Sequence, residues 1–122
     1  MAGDVRALKV FQRAYRLSLV LHRASLGWPR VEQYGGIADQ LRRASKSVCA
    51  LLMEGAGRQF GSAAEFRRYV TMAIGSADEA RLWCSYAADL DYVPPAVSQE
   101  WQTELSEIAR MLHALRERLS EN

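Results

Sequence analysis

The side chains with the donor chemistry for a metal or a nucleophile are His22, His113, Cys49 and Cys84. A helical metal or nucleophile–base pair needs its members on adjacent turns, and the common zinc sites need CxxC or HExxH spacing. No pair of these residues stands at i, i+3 or i+4. A structural or solvated role is the expectation for both histidines. Glu54, Glu65 and Arg68 flank a glycine-rich stretch that contains Arg58, and the four could form a charged network, but tying two helices together is the simpler use. The stretch itself, Gly55 to Gly61, lacks the GK[ST] ending of a phosphate loop, does not fit GxGxxG and follows a helix instead of a strand. No catalytic set, cofactor, metal site or small-molecule substrate is therefore expected. What remains is cationic chemistry. Arg42, Arg43, Lys46, Arg58, Arg67 and Arg68 are the candidates for binding a phosphate backbone, which asks for long cationic side chains without strict geometry. The alternative is that they form ion pairs with Asp39, Glu54, Glu65, Asp78 and Glu79.

Charge along the chain sharpens that choice. The net charge is +2, yet residues 1–68 hold 12 Lys/Arg against 5 Asp/Glu, while residues 69–122 hold 4 against 9. Either the two halves attract one another inside one fold, or the basic half faces an anionic partner.

These residues must be positioned by helices. The first is expected from Val5 to Leu26, with Leu8, Phe11, Tyr15, Leu19, His22 and Leu26 on one stripe. Val10, Ala14, Leu17 and Leu21 make a second stripe, and Lys9, Arg13, Arg16 and Arg23 share the remaining face. One apolar stripe suffices for a helix packed on its own domain. The second needs another surface, either a wide core contact or, the preferred reading, an oligomer interface. Gly27-Trp28-Pro29 ends this helix, and Trp28 and Tyr34 are expected to lid one end of the core. A second helix follows over Gly36 to Glu54, burying Ile37, Leu41, Ala44, Val48, Leu51 and Leu52, with Gly55-Ala56-Gly57 breaking it.

A capping box, Ser62 to Glu65, opens the third helix. It buries Phe66, Tyr69, Val70, Ala73, Ala77, Ala80, Cys84 and Ala87 and ends near Ala88. Alanines on that stripe allow close approach of helix axes. Gly75 lies off the stripe at a cost of about 1 kcal/mol in propensity, which marks it for an external contact. The fourth helix starts at Pro94-Pro95 and runs to Leu119 on Val97, Trp101, Leu105, Ile108, Leu112 and Leu115. With no strand pattern and short connections, the expected fold is all-α: one domain, an antiparallel up-down-up-down four-helix bundle.

Length and composition agree. The chain has 122 residues, 49% hydrophobic and 25% charged, enough to bury a core and inconsistent with disorder. Its two cysteines fall inside predicted helices, as reduced core thiols would. Neither a signal peptide nor an apolar run of about 18 residues is found, so a cytoplasmic protein without membrane contact is expected.

The runs QLRRASKSVCALLMEGAGR and SAAEFRRYVTMAIGSADEA resemble the 23S rRNA intervening-sequence (S23-type) proteins, a bacterial four-helix bundle family related to the accessory variability proteins of diversity-generating retroelements. LKVFQRAYRLSLVLHRAS resembles the family's first helix, and AADLDYVPPAVSQEWQTELSEIARMLHALRERL its last segment. The most specific features are Arg42-Arg43, Glu54-Gly55-x-Gly57-Arg58, Glu65-Phe66-x-Arg68-Tyr69 and Gly75-Ser76. Cys49 and Leu51 stand where the family often has proline and asparagine, Asp91 where a glycine is common, and Arg81 where a glutamate is. The resemblance implies a ring-forming homo-oligomer, a homopentamer, and nucleic-acid or reverse-transcriptase partners. The expected function is non-catalytic binding of RNA or DNA through the basic surface. The alternative is a protein-interaction scaffold for an enzyme partner such as a reverse transcriptase. Val10, Ala14, Leu17, Leu21 and Gly75 are the expected oligomer contacts.

Overall fold

The computed structural model describes residues 4–57 and 62–120. Among them lie four α-helices, α1 (Lys9–Ser25), α2 (Ile37–Gly57), α3 (Ala63–Asp89) and α4 (Pro95–Ser120), and no strand. Short 3-10 turns, Val5–Ala7 and Arg30–Glu32, precede α1 and α2. Each helix packs on its neighbour in sequence, and α1 closes the circuit on α4.

Which way α1 is turned decides the surface of the protein. Val10, Ala14, Leu17 and Leu21 are all buried and belong to the subunit's own core. They are therefore not the oligomer contact expected from the sequence. Of the stripe expected to be the core, only Phe11 is buried, while Tyr15 and Leu26 are 54% and 57% exposed. Two apolar stripes on one helix look alike in sequence. The one carrying alanine and β-branched or compact residues fits the narrow space against α2 and α4, and the one carrying Tyr15 and His22 faces outward.

Burial in α3 follows the expected stripe from Phe66 to Ala87. At Ala73, Ala77, Ala80, Cys84 and Ala87 the side chains are small, and all five have 0% exposure. The helix opens as predicted, with Ser62 Oγ accepting from the Glu65 amide at 3.0 Å. The second helix runs past its expected end at Glu54, through Gly55 to Gly57. A Cβ on Gly55 would stand 2.6 Å from Tyr69 Cβ and 3.0 Å from Phe66 Cδ1. That glycine is there for helix approach and not for a turn.

Between α1 and α2 the carboxylate of Glu32 accepts from the Ile37 amide at 2.9 Å and the Tyr92 hydroxyl at 2.7 Å. Trp28 is buried against the Tyr92 ring, with centroids 5.7 Å apart. Tyr34, the other expected lid residue, is instead 87% exposed. At the end of α3, Tyr92 N–H donates to Ala87 O and Asp91 N–H to Ala88 O. This is a Schellman cap, with Asp91 at φ +63° in the position that favours glycine.

These contacts set opposite expectations for two substitutions. Asp91→Gly relieves a left-handed non-glycine residue and is expected to raise stability by up to about 1 kcal/mol. Gly55→Ala overpacks the α2–α3 contact and is expected to lower it by about 1–2 kcal/mol, despite alanine's better helix propensity. Urea denaturation of both variants checks the signs.

Candidate nucleic-acid interface

The five basic candidates among the described residues do not form one patch. Arg42 is half-buried, and its guanidinium donates to Ser25 Oγ at 2.9 Å and to Gln33 Oε1 at 3.1 Å. It fastens the turn after α1. Arg43 is exposed and pairs with Asp39 at 3.0 Å. Lys46 is exposed beside His22. Gly57, the last residue of α2, lies 15 residues beyond Arg42, about 22 Å of helix. Beyond it, Arg67 donates to Leu119 O at 3.5 Å, near the end of α4, and is half-buried. Arg68 pairs with Glu65 at 2.8 Å and lies 4.9 Å from the centre of the Tyr69 ring. The Tyr69 hydroxyl in turn donates to Glu54 Oε2 at 3.3 Å, so this group ties α2 to α3. Arg58 lies outside the described residues.

A more coherent cationic face lies on α1. This 17-residue helix has four Lys/Arg and no carboxylate. Arg13 is the one committed inward, with Nε 2.8 Å from Glu104 Oε2 and Nη2 2.6 Å from Oε1. Lys9, Arg16 and Arg23 are exposed and recur at intervals of seven, so they share the outer face. Among the described residues, no carboxylate lies within ion-pair distance of these three or of Lys46. Tyr15 and Leu19 border this face. By contrast Asp78, Glu79, Glu100, Glu104 and Glu107 sit on α3 and α4. The charge asymmetry of the sequence is thus concentrated on α1, with four Lys/Arg and no carboxylate, while α3 and α4 together are mildly acidic, with six Lys/Arg against eight Asp/Glu.

His22 senses that field. Lys46 Nζ donates to His22 Nδ1 at 3.0 Å, which requires a neutral imidazole with its proton on Nε2. Desolvation first, then the charges of Lys46, Arg42 and Arg23, hold the imidazole below its ordinary pKa. Cys49 and Cys84 are both buried, and burial pushes their thiols up to about 11 and about 12. They are protonated core residues at neutral pH. Among the described residues, no group of three or more His, Cys, Asp or Glu is placed to hold a metal ion. No helix there is long and apolar enough to cross a membrane.

Sequence reasoning placed Lys9, Arg16 and Arg23 on one face but assigned the binding role to α2 and α3. It put Tyr15 in the core. The signal available was the absence of any acidic residue between Val5 and Val31, against the paired charges of α2 and α3.

Residues 6–114 match the 23S rRNA-intervening sequence protein family. No curated protein matches the sequence. The fold is similar to the crystal structure of a protein of unknown function from the S23 ribosomal protein family of Bacteroides thetaiotaomicron VPI-5482. Identity is 16%, the TM-score is 0.75, and 88% of this chain and 97% of that chain are covered.

The His22 environment gives a direct check on the field. Its pKa, followed by NMR, is expected below that of an ordinary imidazole. Lys46→Ala removes both the repelling charge and the donor that requires the neutral ring, so the pKa is expected to rise toward the ordinary value. An unchanged value would mean that Lys46 does not act on the imidazole.

Proposed function

The chain belongs to the 23S rRNA-intervening sequence protein family, and on that premise we propose that it is a non-catalytic, cytoplasmic, homo-oligomeric bundle that binds RNA or DNA through the basic side formed by α1 and α2. The observation that carries this reading is the outer face of α1, where Lys9, Arg16 and Arg23 are exposed and have no carboxylate within ion-pair distance among the described residues. Arg43, Arg68 and Arg110, by contrast, are each paired with an acid on their own helix. Unmatched cations on one face repel one another, and polyanion binding relieves that repulsion.

The up-down arrangement is supported by the order of side-chain contacts. Ser47 meets Ser76 while Gly55 meets Tyr69, and Ser98 meets Cys84 while Arg116 meets Thr71. In each pair of helices one number rises as the other falls. For the oligomer, the outward face of α3 replaces the α1 stripe as the contact we favour. Met72, Leu82 and Tyr86 are exposed there at helical spacing, and nothing lies within 4 Å of a Cβ built on Gly75. The resemblance noted from the sequence implies a pentamer, whose repetition would turn a modest basic face into a high-avidity surface.

The same exposed α3 residues favour a second reading, a scaffold that docks an enzyme such as a reverse transcriptase. Two experiments separate these roles. Fluorescence anisotropy of labelled RNA and DNA across a salt series is expected to show binding that weakens steeply with salt. Arg16→Glu/Arg23→Glu/Lys46→Glu should weaken it at least about tenfold, lowering the log–log salt slope by roughly 0.7–0.9 per lost phosphate contact. No binding by the folded wild type at low salt would overturn the proposal and leave the scaffold reading. In native mass spectrometry, Gly75→Arg/Leu82→Arg is expected to yield folded monomers. An unchanged oligomer would remove α3 as the contact.

A further inference from the structure

At the N-terminal end of the basic face, the α1 surface holds a groove of about 570 Å³ lined by Arg6, Phe11, Gln12, Tyr15, Arg16 and Leu19. Its volume lies within the range of about 300–1,000 Å³ typical of small-ligand sites. The Tyr15 ring is 54% exposed and the Phe11 ring behind it is buried. The two rings are nearly parallel, 13° apart, with centroids separated by 6.2 Å. Phe11 therefore fixes the plane of Tyr15, so an incoming flat group meets an ordered aromatic surface at little entropic cost.

The polar surroundings of this ring suit one kind of ligand. Arg6 and Arg16 are exposed on its borders, and neither has a carboxylate within ion-pair distance among the described residues. Asp4, the nearby acid in sequence, accepts from the Arg6 amide at 3.0 Å as the cap of the first turn. Gln12 is exposed, and its Nε2 donates to Arg6 O at 3.2 Å. Arg16 leads to Arg23 seven residues further along α1, about 10 Å of helix.

We propose that Tyr15, backed by Phe11, is a stacking platform for an unpaired nucleobase, with Arg6, Arg16 and Arg23 carrying the adjoining phosphates, so that the basic face takes single-stranded segments in preference to duplex. This rests on the nucleic-acid reading above and adds the class of strand. A base within a duplex has both faces covered by its neighbours. A base in a loop or single strand offers its π-face, and every base has one, so the site is tolerant of sequence. The cations alone would favour the duplex, whose phosphate charge density is higher.

The test uses the full-length protein with labelled single strands of RNA and DNA and the matching duplexes, read by anisotropy. A second readout is the fluorescence of 2-aminopurine in the single strand, which changes when the base stacks. Tyr15→Ala is expected to weaken single-strand binding about five- to a hundredfold and to leave duplex binding unchanged. Tyr15→Phe is expected to retain it. Tyr15→Leu, which keeps an apolar contact with Phe11 but has no ring, should behave as alanine does, and thermal melts confirm that each variant is folded. Equal loss on both substrates, or no loss from Tyr15→Ala and Tyr15→Leu while Arg16→Glu/Arg23→Glu still weakens binding, would overturn the stacking platform and leave the basic face standing. If the wild type binds neither substrate, both readings fall. RNA and DNA arms that differ assign the sugar preferred.

Discussion

The rotational setting of α1 is the constraint on which the surface of this protein depends. Val10, Ala14, Leu17 and Leu21 are turned into the core. At 100° per residue, that choice turns Lys9, Arg16 and Arg23 outward and leaves Tyr15 at the edge. Rotating the helix to bury the alternative stripe would carry the basic face toward α2 or α4, where three unpaired cations would lose their hydration. Arg13 locks the observed setting from the other side. Its two-point contact with Glu104 joins α1 to α4. Both side chains are about one-third exposed (35% and 31%), so the pair contributes modestly to stability and mainly fixes orientation.

The remaining helices supply a firm support for that face. The alanine-rich inner stripe of α3 brings α2 and α4 close, and Gly55 allows the nearest approach of α2. The four buried serines, Ser18, Ser25, Ser45 and Ser98, each donate to a carbonyl, so they add no unsatisfied group to the core. Arg42 shows how a conspicuous cation can be structural. Anchored to Ser25 and Gln33, it joins α2 to the end of α1 and adds positive potential beside His22 without offering itself fully to a ligand.

The helices of this fold are legible in the sequence because their signals are local. Ser62 and Glu65 mark the start of α3, Pro95 that of α4, and the period of Phe66 to Ala87 marks the buried face. The family resemblance marked Asp91 as standing where a glycine is common, and its φ of +63° shows the left-handed geometry that an aspartate tolerates there. Signals that depend on a partner helix were not legible. Gly55 looks like a helix breaker until Tyr69 is placed beside it. The two stripes of α1 are equivalent until α2 and α4 select one. The same holds for charge. Arg42, Arg43 and Arg68 are prominent in sequence, yet the structure commits each to a neighbour, whereas the freer cations of α1 are spread along a helix that looks ordinary.

The central claim is that the outward face of α1 meets the nucleic acid. Ultraviolet crosslinking of a bound single-stranded RNA, followed by mass spectrometry of the digested protein, tests it most directly. The account predicts crosslinked peptides from α1 around Tyr15, with secondary sites on α2 near Lys46. Crosslinks confined to α3 and α4 would contradict it.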